Sequence, residues 1–167
     1  MYDAIDAISY ALMYYKEYNN IYPNYGDLDS TNFVSQCLFA GGLPMQHNAN
    51  KDPLLNWYCL SKNQYNEDLI SPTWYCADYF YKYWSSSAGE HFTFTVKDVK
   101  RPKVLDLIEP GDPITLFNHN KITNCIIVIR REGEHIICAS HEENTIDMRL
   151  VEFNLRMFRI YKLNKKG

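Results

Sequence analysis

No stretch of about 18 apolar residues occurs anywhere in the 167-residue chain, which excludes a membrane-spanning helix. No basic segment followed by an apolar run opens it, so no signal peptide is expected in this chain. An excess of cationic residues is missing too: 17 Lys and Arg stand against 20 Asp and Glu, for a net charge of -3, and nothing points to nucleic acid as a partner. The only basic run, residues 162–166, reads as a solvated tail. Cysteine pairs at CxxC spacing are absent. The five cysteines (Cys37, Cys59, Cys76, Cys125 and Cys138) are odd in number, which argues against a zinc site and against a disulfide framework. Buried free thiols in a reducing compartment are the expectation. There is no glycine-rich phosphate loop, and Gly111-Asp112 reads as a turn into a strand. No metal and no cofactor is expected. Nor is there an internal repeat, a linker or a low-complexity tract, so residues 1–167 are expected to form a single domain.

What the chain does contain is the composition of a globular protein, 46% apolar and 22% charged, with 14 tyrosines among its 15% aromatics. Such tyrosines suit sugars or peptides, and they also pack half-buried for purely structural reasons. Residues 3–18 predict an amphipathic helix capped by Asp3, with Asp6 in its first turn and Ile5, Ile8, Leu12 and Tyr15 on one face. A second helix is expected from about residue 31 to 40, burying Phe33, Val34, Cys37 and Leu38 and ending at Gly41-Gly42. Ser71-Pro72 predicts the start of a third helix running to about Trp84, with Trp74, Ala77, Phe80, Tyr81 and Trp84 as its apolar stripe. Beyond residue 90 the period changes to two. Strands are expected over residues 91–96, 114–118, 123–130, 134–141 and 155–163. Helices first and an antiparallel sheet afterwards make an α+β fold.

The most informative segment is Asp29-Ser30-Thr31-Asn32-Phe33-Val34-Ser35-Gln36-Cys37, closed by Ala40-Gly41-Gly42. Polar residues open a helix that turns apolar and stops at a double glycine. Ser30 falls at the helix N-terminus, where backbone N–H groups are unpaired and the dipole is positive. A thiol there would have a lowered pKa, whereas a hydroxyl gains little without an adjacent base. Read by itself, Asp29 or Ser30 is equally an ordinary N-cap worth about 1 kcal/mol.

Three further groups of residues bear on this segment: Tyr14-Tyr15-Lys16-Glu17-Tyr18-Asn19 at the end of the first helix; Trp57-Tyr58 followed by Pro72-Thr73-Trp74 and Phe80-Tyr81-Lys82-Tyr83; and Gly111-Asp112 with Ser140-His141. In this order, over about residues 2–150, they resemble the putative amidase domain family, relatives of the papain-like NlpC peptidoglycan peptidases. The resemblance implies a papain-like fold with N-terminal helices packed on an antiparallel sheet. It also implies amide hydrolysis by a Cys-His-polar triad, with peptide or a peptidoglycan fragment as ligand.

In that family the nucleophile is a cysteine at the position of Ser30. The base is a histidine at the start of the central strand, a place matched here by Asn124. A polar residue on the next strand orients the base, and His141 matches it. Asp29 and Asn32 flank the nucleophile position and are expected to hold its turn. Trp57, Tyr58 and Trp74 are expected near the cleft. An asparagine cannot accept a proton at neutral pH, so Ser30 with Asn124 predicts a silent centre that binds a peptide, a glycopeptide or a protein. Two alternatives stay open. One is an active hydrolase, with Ser30 engineered or His119 or His141 as base, or with Cys125 or Cys138 as a displaced nucleophile. The other is a structural subunit of an assembly. Free thiols without an export signal suit the cytoplasm, while the resemblance points to the cell envelope.

Overall fold

The computed structural model describes residues 1–50 and 52–163. Helix α1 spans Ala4–Tyr14, and Asp3 caps it by accepting from the N–H groups of Ile5 at 3.0 Å and Asp6 at 3.3 Å. Its buried face is the expected one only in part: Ile8 and Tyr15 pack half-buried against the core. Ala7 and Ala11 lie inside, while Ile5 is 75% and Leu12 45% exposed. Small side chains let α1 approach its neighbours closely, and Ala4 sits directly against Gly111. Large apolar residues on that face would hold the helix away.

Helix α2, Ser30–Ala40, is buried along nearly its whole length, from Ser30 to Leu38. A helix without a solvated face belongs at the centre of a fold, and α2 packs between α1 and the sheet. The expected third helix is two. α3 (Pro72–Tyr75) and α4 (Ala77–Ser87) are separated at Cys76, whose backbone is extended at φ −101°, ψ 122°. A short helix α5, Pro102–Leu105, lies between the first two strands.

The strands are β1 (Glu90–Thr95), β2 (Pro113–Asn118), β3 (Lys121–Glu132), β4 (His135–Ser140), β5 (Thr145–Arg149) and β6 (Met157–Lys162). They form one antiparallel sheet in the order β1-β6-β2-β3-β4-β5, so the fold is α+β. β5 has a half-exposed, polar sequence and was not expected as a strand. β3 explains its own apolar run, because it is covered on both faces. Cys125, Ile127 and Ile129 meet the helices, whereas Ile126 and Val128 meet a second cluster that includes Leu105, Leu150 and Phe153. Near its start the register slips: Leu116 faces Asn124, but Phe117 faces Ile122, so Thr123 is an inserted residue.

The chain's ends are tied to the β2 turn. Tyr2 Oη donates to Gly111 O at 2.7 Å. Lys162 was expected in a solvated tail, yet its ammonium reaches Asp112 and Glu109 at 2.7 Å each and Leu107 O at 2.9 Å. The remainder of that expected tail, residues 164–166, lies outside the described residues. No helix among the described residues is long and apolar enough to cross a membrane.

Gly111 has φ +86°, and a Cβ there would lie 2.6 Å from Ala4 Cβ. Gly133 has φ +60° with nothing within 4 Å. Gly111→Ala is therefore expected to lower stability by about 2 kcal/mol or more, and Gly133→Ala by only about 1 kcal/mol. Urea unfolding of the two variants measures the difference.

Candidate active site

The N-terminus of α2 is not capped by a side chain. Asp29 turns inward instead, fully buried. One oxygen accepts from Tyr25 N and from Asn32 Nδ2, both at 2.9 Å, and the other lies 2.6 Å from His141 Nδ1. His141 Nε2 is 2.6 Å from the carbonyl oxygen of Tyr14. A carbonyl only accepts, so Nε2 carries a proton and donates it. The ring also stacks on Phe33 at 4.0 Å. Both nitrogens of His141 are thus engaged away from Ser30, and the residue ties the end of β4 to α1 and α2. Asn32 is held in turn: its Nδ2 also donates to Pro23 O, and its Oδ1 accepts from Trp74 Nε1 at 2.8 Å.

With Asp29 and Asn32 turned in, Ser30 is the residue left at the surface of the first turn. It is 7% exposed, and its Oγ accepts from Cys125 N at 3.3 Å, which sets Ser30 against the central strand. Ser30 opens on a cavity of about 370 Å³. Tyr25 and Asp27 line it from the loop before α2, Cys76 and Asp78 from the break between α3 and α4, Thr123 from β3 and Glu142 from the turn after β4. No described lining residue is a histidine, lysine or arginine. Burial, then Glu143 and Asp27, raise the pKa of the Glu142 carboxyl.

The other expected site residues lie elsewhere. Strand alternation gives Asn124 the parity of Ile126 and Val128, so its side chain faces the sheet side opposite Ser30. There it lines a second cavity of about 270 Å³ with Leu116 and Phe153. The β3 residues that line the Ser30 cavity are Ile122 and Thr123, which flank the register slip. His119 is exposed in the turn between β2 and β3 at φ 56° and lines neither cavity. Trp57 and Trp74 were expected near the cleft, but both are 0% exposed and pack on each other at 4.9 Å. Trp57 Nε1 donates to Ser35 Oγ at 3.2 Å. These two tryptophans support α2 from behind and cannot touch a ligand. Tyr58 lines a separate cavity of about 340 Å³ with His47 and Asn56.

As displaced nucleophiles, the strand cysteines are poor candidates. Cys125 is wholly buried, and burial pushes its thiol up to about 12; Cys138 is raised for the same reason. Cys59, similarly raised, reaches about 11. Neutral thiols of this kind are inert. Thr123, Cys76 and Glu142 were not expected beside Ser30. A register slip places Thr123, a helix break Cys76 and the turn after β4 Glu142, and neither the slip nor the break has a residue signature such as Gly or Pro at the spot.

Compared with known proteins, residues 1–162 match the family described as "Putative amidase domain". The "Uncharacterized protein YhbB" of Bacillus subtilis (strain 168) is 30% identical over 128 residues, a match covering 72% of this chain and 36% of that protein. The chain thus spans little more than a third of the curated relative's length. No solved structure matches.

Replacing Asp29 with alanine removes the acceptor for Tyr25 N, Asn32 Nδ2 and His141 Nδ1 together. The expected loss is about 3 kcal/mol or more, measured by chemical denaturation. The thiols predict a pH dependence. Because burial raises Cys59 and Cys125 from 9.0 to about 11 and about 12, their contribution is complete below pH 9.0 and is lost as pH rises through that interval. The unfolding midpoint should fall accordingly on the alkaline side. At neutral pH a maleimide should modify the half-buried Cys76 and leave Cys125 and Cys138 untouched until the chain unfolds.

Proposed function

The chain belongs to the putative amidase domain family, and from that premise we propose that it is a single amidase-type domain of papain-like plan whose catalytic centre is silent. Its retained cleft binds a peptide or a peptide-bearing cell-wall fragment. The family chemistry is acyl transfer. A nucleophile at position 30 attacks the amide carbonyl, neighbouring backbone N–H groups hold the oxyanion, and a base takes the nucleophile's proton.

The observation that carries the proposal is the cavity on which Ser30 opens: no imidazole lines it among the described residues. A serine hydroxyl ionises far above neutral pH and depends on a base within hydrogen-bond reach. Ile122 and Thr123, the β3 residues that line the cavity, cannot accept a proton, and Asn124 faces the other way. His141 spends both nitrogens on Asp29 and Tyr14, and His119 sits in a turn outside the lining. The loss of nucleophile and base in a comparable triad costs on the order of 10⁶ in rate. A cavity of about 370 Å³ is ample for a dipeptide-sized group.

Turnover of a peptidoglycan digest and of simple peptide amides tests the proposal on four proteins: the chain itself, Ser30→Cys, and Ser30→Cys combined with Asn124→His or with Thr123→His. The unmodified chain and Ser30→Cys are expected to be inactive. Thr123→His with Ser30→Cys should raise hydrolysis at least about 10²-fold, the usual worth of a placed general base, while Asn124→His should not. Ordinary enzymatic turnover by the unmodified chain would contradict the silent centre. Rescue by Asn124→His alone would contradict the facing of β3.

A further inference from the structure

The second cavity, on the face of the sheet away from α2, has a composition of its own. Leu116 and Phe153 make one apolar side. Glu142 and Glu143 lie at its rim, and no lysine, arginine or histidine is among its described lining residues. Asn124 stands in its wall, only 5% exposed, and its Oδ1 has no hydrogen-bond partner among the described residues. A buried amide oxygen is rarely left without a donor, so an orphan in a cavity wall calls for one from outside the chain. Two carboxylates beside it fix the sign of that donor's charge. This cavity and the Ser30 cavity share Thr123 and Glu142 in their walls, so one ligand can run from one to the other across the register slip.

We propose that the Asn124 cavity is a subsite for a primary ammonium group, which donates to Asn124 Oδ1 and is neutralised by Glu142 and Glu143. It would select peptides with a free amino group and lead their next residues to Ser30. The proposal rests on the reading of the chain as a peptide-binding amidase-type domain and names the ligand class for that cleft. Several features fit together. No group of three or more His, Cys, Asp or Glu that could hold a metal is found among the described residues, which favours an organic cation over a metal ion. The apolar wall of Leu116 and Phe153 suits the short aliphatic stem beside an amino group. Burial first and the neighbouring Glu143 carboxylate second raise the proton affinity of Glu142, and an ammonium beside it opposes both effects.

The test is an NMR titration of the isotopically labelled full chain with two probes, alanyl-alanine amide and its N-acetylated form, at about 50 mM and about 500 mM NaCl. The free-amine peptide should bind at least about tenfold more tightly than the acetylated one and lose affinity at the higher salt. It should also shift the amide signals of Asn124, Glu142 and Glu143. The exposed pair Glu142→Gln with Glu143→Gln should abolish the tenfold preference, and Asn124→Leu should weaken free-amine binding with no loss of fold by circular dichroism. Equal affinity for the two probes, a preference that survives in the glutamine pair, or signal shifts confined to the Ser30 cavity would overturn the ammonium subsite. Hydrolysis of either probe by the unmodified chain would instead overturn the silent centre. The affinity ratio is read from the same titration, so the two failures are told apart.

Discussion

One buried carboxylate holds the candidate site in shape. Asp29 precedes α2 and is fully buried, and each of its oxygens is committed. One gathers Tyr25 from the incoming loop and Asn32 from the first turn of the helix. The other meets His141 at the end of β4, and through that ring the carbonyl of Tyr14 at the end of α1. Two chain segments distant in sequence, the end of β4 directly and the end of α1 through His141, are thereby locked to the start of α2. Burying such a group is tolerable only when its partners are all in place, so the surrounding geometry is strongly specified. Ser30 owes its orientation to this arrangement: with residues 29 and 32 pulled inward, residue 30 faces the cavity.

The same arrangement turns His141 away from Ser30. His141 lies on the helical face of the sheet and near the correct end, but its two nitrogens are occupied by an acid and a carbonyl. It acts as a strut. The central strand contributes the rest. β3 is buried on both faces, its odd residues face α2 and its even ones the second cluster. One inserted residue at Thr123 decides which side chains reach which cavity. A polar asparagine thereby ends up in the wall of a second, acid-rimmed hollow instead of beside Ser30. The site has therefore become two adjoining cavities, each lined by acids and by no cationic residue among those described.

Much of this fold was legible from local pattern. The Asp3 cap, the double-glycine stop after α2, the Ser71-Pro72 start and the alternation beyond residue 90 each rest on short-range chemistry, and the elements lie close to where those signals put them. The residues that were misjudged depend on tertiary partners. Ile5 and Leu12 are large and regularly spaced, but α1 turns its alanines inward because Gly111 and α2 come too close for anything larger. Lys162 reads as part of a basic tail, yet it closes on Asp112 and Glu109 as the last residue of β6. The helix break at Cys76 carries neither proline nor glycine. At the candidate site, the part Asp29 and Asn32 play in holding the turn before α2 could be anticipated from their order along the chain. The facing of Asn124 could not, because one unpaired residue in β3 changes it, and Trp57 and Trp74 are too deep to meet a ligand.

The central claim is that no imidazole lines the Ser30 cavity and that the carboxylates there, Asp27, Asp78 and Glu142, do not activate the hydroxyl. A fluorophosphonate reagent tests this most directly, because it phosphonylates serines that a neighbouring base activates and spares the others. Intact-mass analysis of the unmodified chain after prolonged exposure at neutral pH should show no added mass. A stoichiometric adduct mapped to Ser30 would contradict the account, and it would mean that a proton acceptor reaches the hydroxyl in solution.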